Sequence, residues 1–239
     1  MSLSARKTAA NHFVEHIRRS NELHREYLDD SAMAASYAQL TSWQHDYLMP
    51  FFDDLFDYEG YEEAIEFVVS DLSGTTIASR DRDIERAAPI FIRLLPTMAL
   101  QTLAAGAEMN SRVLEINLAM CRRLIADGVF PGTLSESEYL PALRAATTVE
   151  ECLGIINILS QLGENLDKLV RVPLIGGTLR AMRAPAHAMG YGSLHGFLDY
   201  GFRTFKAIPD VPAFLEVVLG RAAEVFENSF APQAPGDVT

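Results

Sequence analysis

The chain has 239 residues, 49% of them hydrophobic and 22% charged, which is enough apolar content for a buried core without disulfide or metal staples. Its formal net charge is −12 with a pI near 4.9, and that sign sets the molecule as a whole against nucleic acid. No run reaches the roughly 18 apolar residues of a membrane span and the N-terminus lacks an apolar core, so a cytoplasmic protein without a transmembrane segment is expected.

Helical periodicity dominates and strand alternation is hard to find. A first, polar helix is predicted from about Ala5 to Tyr27, with Phe13, Ile17 and Leu23 as its apolar stripe and His12, His16 and His24 solvated. A second covers about Ser31 to Asp46 before Pro50, and a third about Tyr61 to Leu72, stopping at Gly74. Ser79 is expected to open a fourth, placing Asp81 and Asp83 in its dipole-favoured first turn, with Pro89 kinking it or delaying its start and Pro96 closing it or beginning the next.

The run Thr97–Asp127 carries two apolar stripes, one through Met109, Val113, Ile116 and Met120 and one through Leu100, Leu114, Leu118, Cys121 and Ile125. A helix apolar on two flanks must be wrapped by others, so this one is expected at the centre of the fold. Capping boxes are read at Ser135/Glu138 and Thr147/Glu150, the latter opening a helix through Cys152 and Leu169 that Pro173, Gly176 and Gly177 break. A basic helix over about Thr178–Met189, a Gly190-Tyr191-Gly192 turn, a helix from Ser193 to Lys206 and a last one from Val211 to about Asn228, capped by Asp210, complete the chain. The fold expected is all-α, one orthogonal or bundle-like domain over residues 1–230 with a flexible tail at 231–239. Cys121 and Cys152 lack CxxC spacing and read as buried thiols in a reducing compartment.

Phe67-Val68-Val69-Ser70-Asp71-Leu72-Ser73-Gly74, then Arg80-Asp81-x-Asp83-x-x-Arg86, Pro89 and Arg93-Leu94-Leu95-Pro96 form an ordered signature. Tyr37-Ala38-Gln39-Leu40 precedes it, and Leu169-Val170-Arg171-x-Pro173-Leu174, Arg180-x-Met182-Arg183-x-Pro185-Ala186 and Gly190-x-Gly192 follow. Over about Tyr37–Glu227 the chain thereby resembles a family of uncharacterised bacterial all-helical proteins with an Asp-Leu-Tyr-Gly / Arg-Asp-x-Asp signature. It departs from that pattern at Ser73, where Tyr is usual, and at Val68, where a second aromatic is common. The resemblance implies an all-helical fold and carries no activity.

The motifs of established chemistries are missing from the sequence. There is no GxxxxGK[ST], no dinucleotide fingerprint after a strand, no HExxH, no pair of Glu-x-x-His motifs, no GxSxG, no zinc-finger spacing and no basic–leucine heptad. No cofactor, catalytic residue or metal ligand is therefore assigned.

Three groups of residues remain as candidates. Asp71, Arg80, Asp81, Asp83 and Arg86 read either as an ion-pair network pinning a loop to a helix start, or as an acid/base cleft with Arg80 orienting an anion. Glu108, Asn110 and Arg112 place polar groups on the central helix, with Asn117 one heptad beyond Asn110, fit to fix helix register or to touch a ligand. Charge is also segregated: nine acids and no base lie between Asp46 and Asp71, while six bases face Asp199 alone between Lys168 and Lys206. Arg171, Arg180 and Arg183 thus form a candidate basic surface for an anionic ligand or an acidic protein partner, unless the two regions pack together. His187 and His195 flank the glycine turn and are close enough in sequence to meet. The function expected is non-enzymatic binding or protein interaction by a homodimer. The alternative is a small-molecule-binding helical protein, or an enzyme with an acidic/Arg cleft.

Overall fold

Packing begins with Thr97–Ala126, helix α5, which lies among the partners its two apolar flanks demand. In the computed structural model, which describes residues 3–71 and 77–231, ten α-helices and one 3-10 segment are found among those residues, and no strand. They are α1 Leu3–Leu28, α2 Ser31–Leu48, a 3-10 turn Met49–Leu55, α3 Tyr61–Asp71, α4 Ile77–Leu94, α5, α6 Glu136–Ala146, α7 Val149–Val170, α8 Pro173–Ala188, α9 Gly192–Ala207 and α10 Val211–Phe230. Helix α5 packs along α1 and also touches α2, α6 and α7. Leu100, Leu114, Leu118, Met120, Cys121 and Leu124 are at most 2% exposed. No described helix is long and apolar enough to cross a membrane.

Two clusters of side chains make up most of the core. One joins α1, α2, α5 and α6 through Leu23, Tyr37, Leu40, Leu118, Met120 and Tyr139. The other joins the 3-10 turn, α3, α9 and α10 through Phe52, Ile65, Phe205, Val211 and Phe214. Burial on this scale contributes roughly 2 kcal/mol for each large apolar side chain, so the two clusters hold the bundle together.

Several boundaries differ from the sequence reading, each for a physical reason. Helix α4 starts at Ile77, upstream of Ser79, with Ala78 buried at its start. Asp81 and Asp83 therefore lie beyond its first turn, where packing rather than the helix dipole uses them. The chain stays helical through Pro89, while Pro96 takes the second of its two expected places, as the N-cap of α5. The capping box of α7 is Thr148/Glu151, one residue later than read: Thr147 closes α6 instead, while its hydroxyl also reaches Glu151 Oε2 at 2.8 Å.

Helix α8 begins at Pro173 rather than Thr178, because proline at the first position fits a helix start and does not break it. Gly176 lies inside α8, where a Cβ would sit 3.1 Å from the Phe202 ring, so the close approach of α9 favours glycine at that position. Ile125, placed on an apolar stripe, is 36% exposed near the end of α5. Leu72 and Gly74, the expected end and stop of the third helix, fall outside the described residues, as does the tail beyond Ala231. Both cysteines are free and buried.

Candidate functional site

The Arg80-Asp81-x-Asp83-x-x-Arg86 motif is a single stretch of helix whose residues serve two different faces of α4. Arg80, Asp83 and Arg86 follow a three-residue spacing and turn towards α9. The Arg80 guanidinium lies 4.1 Å from the centre of the Phe197 ring, Ser193 Oγ donates to Asp83 Oδ2 at 3.4 Å, and Arg86 stands over Tyr191 at 5.3 Å. Arg86 also pairs with Asp83 at 3.3 Å. Asp81 turns towards α1 and α5, is 2% exposed, and keeps its Oδ1 3.9 Å from Arg80 Nε. Its Oδ2 is 3.0 Å from His24 Nε2 of α1 and accepts from Asn110 Nδ2 of α5 at 2.7 Å.

The network around Asp81 continues on α1. Asn110 Nδ2 also donates to Ser20 Oγ at 3.1 Å, and Asn21 Nδ2 donates to the Asp81 carbonyl at 3.1 Å and to Glu85 Oε2 at 3.0 Å. His24 and Asn21 are 3% and 4% exposed, which corrects the solvated reading of His24. A buried carboxylate is tolerated only when such donors surround it. His24 Nδ1 and Asn21 Oδ1 are buried with no hydrogen-bond partner among the described residues.

His12, His16, Ser20 and His24 recur every fourth residue and so share one face of α1. Above the Asp81 network, that face meets Glu108 and Ser111 of α5. His12 Nε2 is 3.1 Å from Glu108 Oε2, and the other carboxylate oxygen accepts from Arg112 at 2.6 Å. Ser111 Oγ donates its one hydrogen to the Glu108 carbonyl at 2.9 Å, so it must accept at 2.8 Å from His16 Nδ1–H. The imidazole of His16 then keeps its lone pair on Nε2. Desolvation first, and His12 second, hold the His16 pKa below its ordinary value.

A cavity of about 190 Å³ lies between α2, α3, α5, α7 and α10. Its walls are Ile65, Met109, Val113, Ile116, Ile156 and Val218 with other apolar groups, so the first apolar stripe of α5 forms one side. Its polar lining is Gln44, Asn117 and Tyr139, together with the Cys152 thiol. Gln44 Nε2 donates to Asn117 Oδ1 at 3.0 Å and reaches the Tyr139 hydroxyl at 3.4 Å. Burial pushes the Tyr139 phenol up to about 12 and the Cys152 thiol up to about 11, so both are neutral. The Asn117 side chain partly offsets the burial-raised pKa of Tyr37, but no hydrogen bond from Asn117 Nδ2 meets ordinary geometry.

A second, larger cleft of about 540 Å³ opens where the end of α7, α8 and the end of α9 converge. Arg171, Arg180 and Lys206 line it above Val170, Phe202, Phe205 and Ile208. Arg171 is held by Asp167, at 2.8 Å from its Nε.

Of the residues singled out in the sequence, the structure pairs Arg80 with Asp81 at 3.9 Å and Arg86 with Asp83, joins Asp81 with Asn110 and Glu108 with Arg112, and brings Arg171 and Arg180 into one cleft. Arg183 does not line that cleft, and the side chain of Asp71 lies outside the described residues. The His187 and His195 rings come within 6.2 Å, with each bound to a backbone carbonyl, those of Arg183 and Leu179 respectively. From the acidic segment, Asp54 pairs with Arg221 of α10. The sequence reading missed His12, His16, Ser20 and Asn21 as site residues, and also Gln44 and Tyr139. The four-residue spacing along α1 was the available signal for the first group; nothing in one sequence points to Gln44 and Tyr139.

The model of one protein family, described as a domain of unknown function (DUF8198), matches residues 23–235. Nothing among curated proteins and nothing among solved structures matches the chain.

Proposed function

From the premise that the chain belongs to the family of this domain of unknown function, we propose that it is a small-molecule-binding protein whose ligand occupies the cavity beside α5. One observation carries the reading: a cavity is walled almost entirely by apolar side chains, with the polar side chains of Gln44, Asn117 and Tyr139 bound to one another at its edge. Its volume of about 190 Å³ exceeds the roughly 150 Å³ at which an apolar protein cavity takes up benzene. Among the described residues no charged side chain lines it, so an ionised ligand would be desolvated without compensation. The ligand class is then a neutral, mostly apolar molecule.

Ethylbenzene and benzoate, which differ in charge, provide the test. Ethylbenzene is expected to raise Tm and benzoate not to, and Val113→Phe, which fills the cavity, to abolish the effect. Stabilisation that survives Val113→Phe, or no stabilisation of the wild type by either molecule, rejects the proposal.

A second reading rests on the convergence of Arg171, Arg180 and Lys206, in a chain of charge −12, on one cleft with an apolar floor. It assigns that cleft to an anionic ligand with an apolar body. Isothermal titration with octanoate against octanol tests it: a preference for the anion that Arg180→Gln removes supports it, and equal binding rejects it. The expected homodimer is tested by light scattering, where a monomeric mass at high concentration rejects it.

A further inference from the structure

We propose that His12, His16 and Glu108 form a binding site for a first-row divalent transition metal, of the Zn²⁺ class, on the seam between α1 and α5. One ligand atom from each of the three residues lies within 4.8 Å of the other two. Tetrahedral Zn²⁺ with bonds of about 2.0–2.2 Å holds its ligand atoms roughly 3.3 Å apart. The His12 Nε2–Glu108 Oε2 separation of 3.1 Å already meets that spacing, so side-chain rotations of about an ångström close the rest.

Two histidines four residues apart on one helix, with a carboxylate from a facing helix, make a three-ligand set that leaves a position open for water. The surroundings favour it. Ser111 fixes His16 with its hydrogen on Nδ1, which frees Nε2 to coordinate. Arg112 takes the Oε1 side of Glu108 and leaves Oε2 facing His12. The site is reachable, with His12 38% exposed and Glu108 15%. In the absence of metal, the His12–Glu108 contact accounts for the same geometry as an ordinary ion pair, so the discriminating measurement is metal binding itself.

The experiment uses the full chain, dialysed against chelator, with Zn²⁺ titrated by calorimetry and Co²⁺ by visible absorption. One equivalent of Zn²⁺ is expected to bind, with a rise in Tm, and Co²⁺ to give the intense d–d bands of a low-coordinate site. His16→Gln and Glu108→Gln should each weaken binding roughly tenfold or more and abolish the cobalt bands. His12→Gln, at a half-exposed position, should do the same with its metal-free Tm unchanged, which separates loss of a ligand from loss of fold. His45→Gln, removing the exposed imidazole beside Asp46 and Glu66, should leave binding intact. Binding that persists in the His12 and His16 variants, that disappears with His45→Gln, or that is absent from the wild type overturns the assignment.

Discussion

Asp81 shows how far position outweighs residue type. Its neighbours Arg80 and Asp83 sit at the α9 face, half-buried, while Asp81, one helix step away, is enclosed by His24, Asn110 and Asn21. Removing the carboxylate takes the acceptor from His24 Nε2 and one from Asn110 Nδ2, while Asn21, which donates to the main-chain carbonyl, keeps its bond. Breaking a buried polar pair costs about 3 kcal/mol, so Asp81→Ala should lower Tm by roughly 6–12 °C in calorimetry. Arg86→Ala, on the exposed face, should lie within about 0.5 kcal/mol of wild type. Similar effects of the two would contradict the two-faced reading of the motif.

The cysteines give a second prediction at this scale. Burial pushes Cys121 up to about 12 and Cys152 up to about 11, so neither holds appreciable thiolate at pH 8. Both should resist a disulfide reagent in the native protein and react on unfolding. A cavity ligand should slow the residual reaction of Cys152, which lines the cavity, and not that of Cys121. Rapid native labelling of either thiol would show that the bundle opens there.

At the scale of elements, the start of α7 illustrates how a two-residue link is shared. Thr147 ends α6 and Thr148 caps α7, with Glu151 binding both, at 2.8 Å from Thr147 Oγ1 and 3.1 Å from Thr148 N. Thr148→Ala should cost about 1 kcal/mol in denaturant unfolding. The Thr147 hydroxyl, then the Thr148 amide, hold the Glu151 carboxyl below its ordinary value. A depressed carboxylate stabilises the fold above the unfolded-state pKa near 4.3–4.5, and that contribution is lost as pH falls through the lower folded value. Glu151→Gln should therefore lose stability at neutral pH and show a shallower decline on acidification. An unchanged slope between about pH 5 and 3 would rule the linkage out.

The contact of α7 with α10 depends on Gly163. A Cβ there would lie 2.5 Å from Leu215 Cδ2 and within 3.2 Å of two more atoms of that side chain, itself 8% exposed. Gly163→Ala should cost about 1–3 kcal/mol despite its better helix propensity, and adding Leu215→Ala should recover part of that loss. Gly163→Ala at or above wild-type stability would mean that α10 shifts without penalty.

For the whole molecule, α5 is the element through which most others are coupled. Leu118 is 1% exposed within the core shared by α1, α2, α5 and α6. Leu118→Ala should cost about 3 kcal/mol, with every probe of unfolding still reporting one transition. Separate transitions for the N-terminal and C-terminal halves would show that the two core clusters unfold independently.

The sequence by itself determined that the chain is helical, that Thr97–Ala126 is wrapped by other helices, and that Phe13, Ile17 and Leu23 bury one face of α1. Those features follow from periodicity, and hydrophobic burial acts on periodicity whatever the partner is. Capping at Ser135 and Asp210 was equally legible, because it is settled within four residues. Tertiary structure alone decided that Asp81 turns inward, that His24 is buried, that Glu108 meets His12 across two helices, and that Gln44, Asn117 and Tyr139 edge one cavity. Polar side chains carry no periodic signal strong enough to fix their partners. Which donor finds which acceptor depends on the rotation and separation of packed helices, set by the sum of contacts along both.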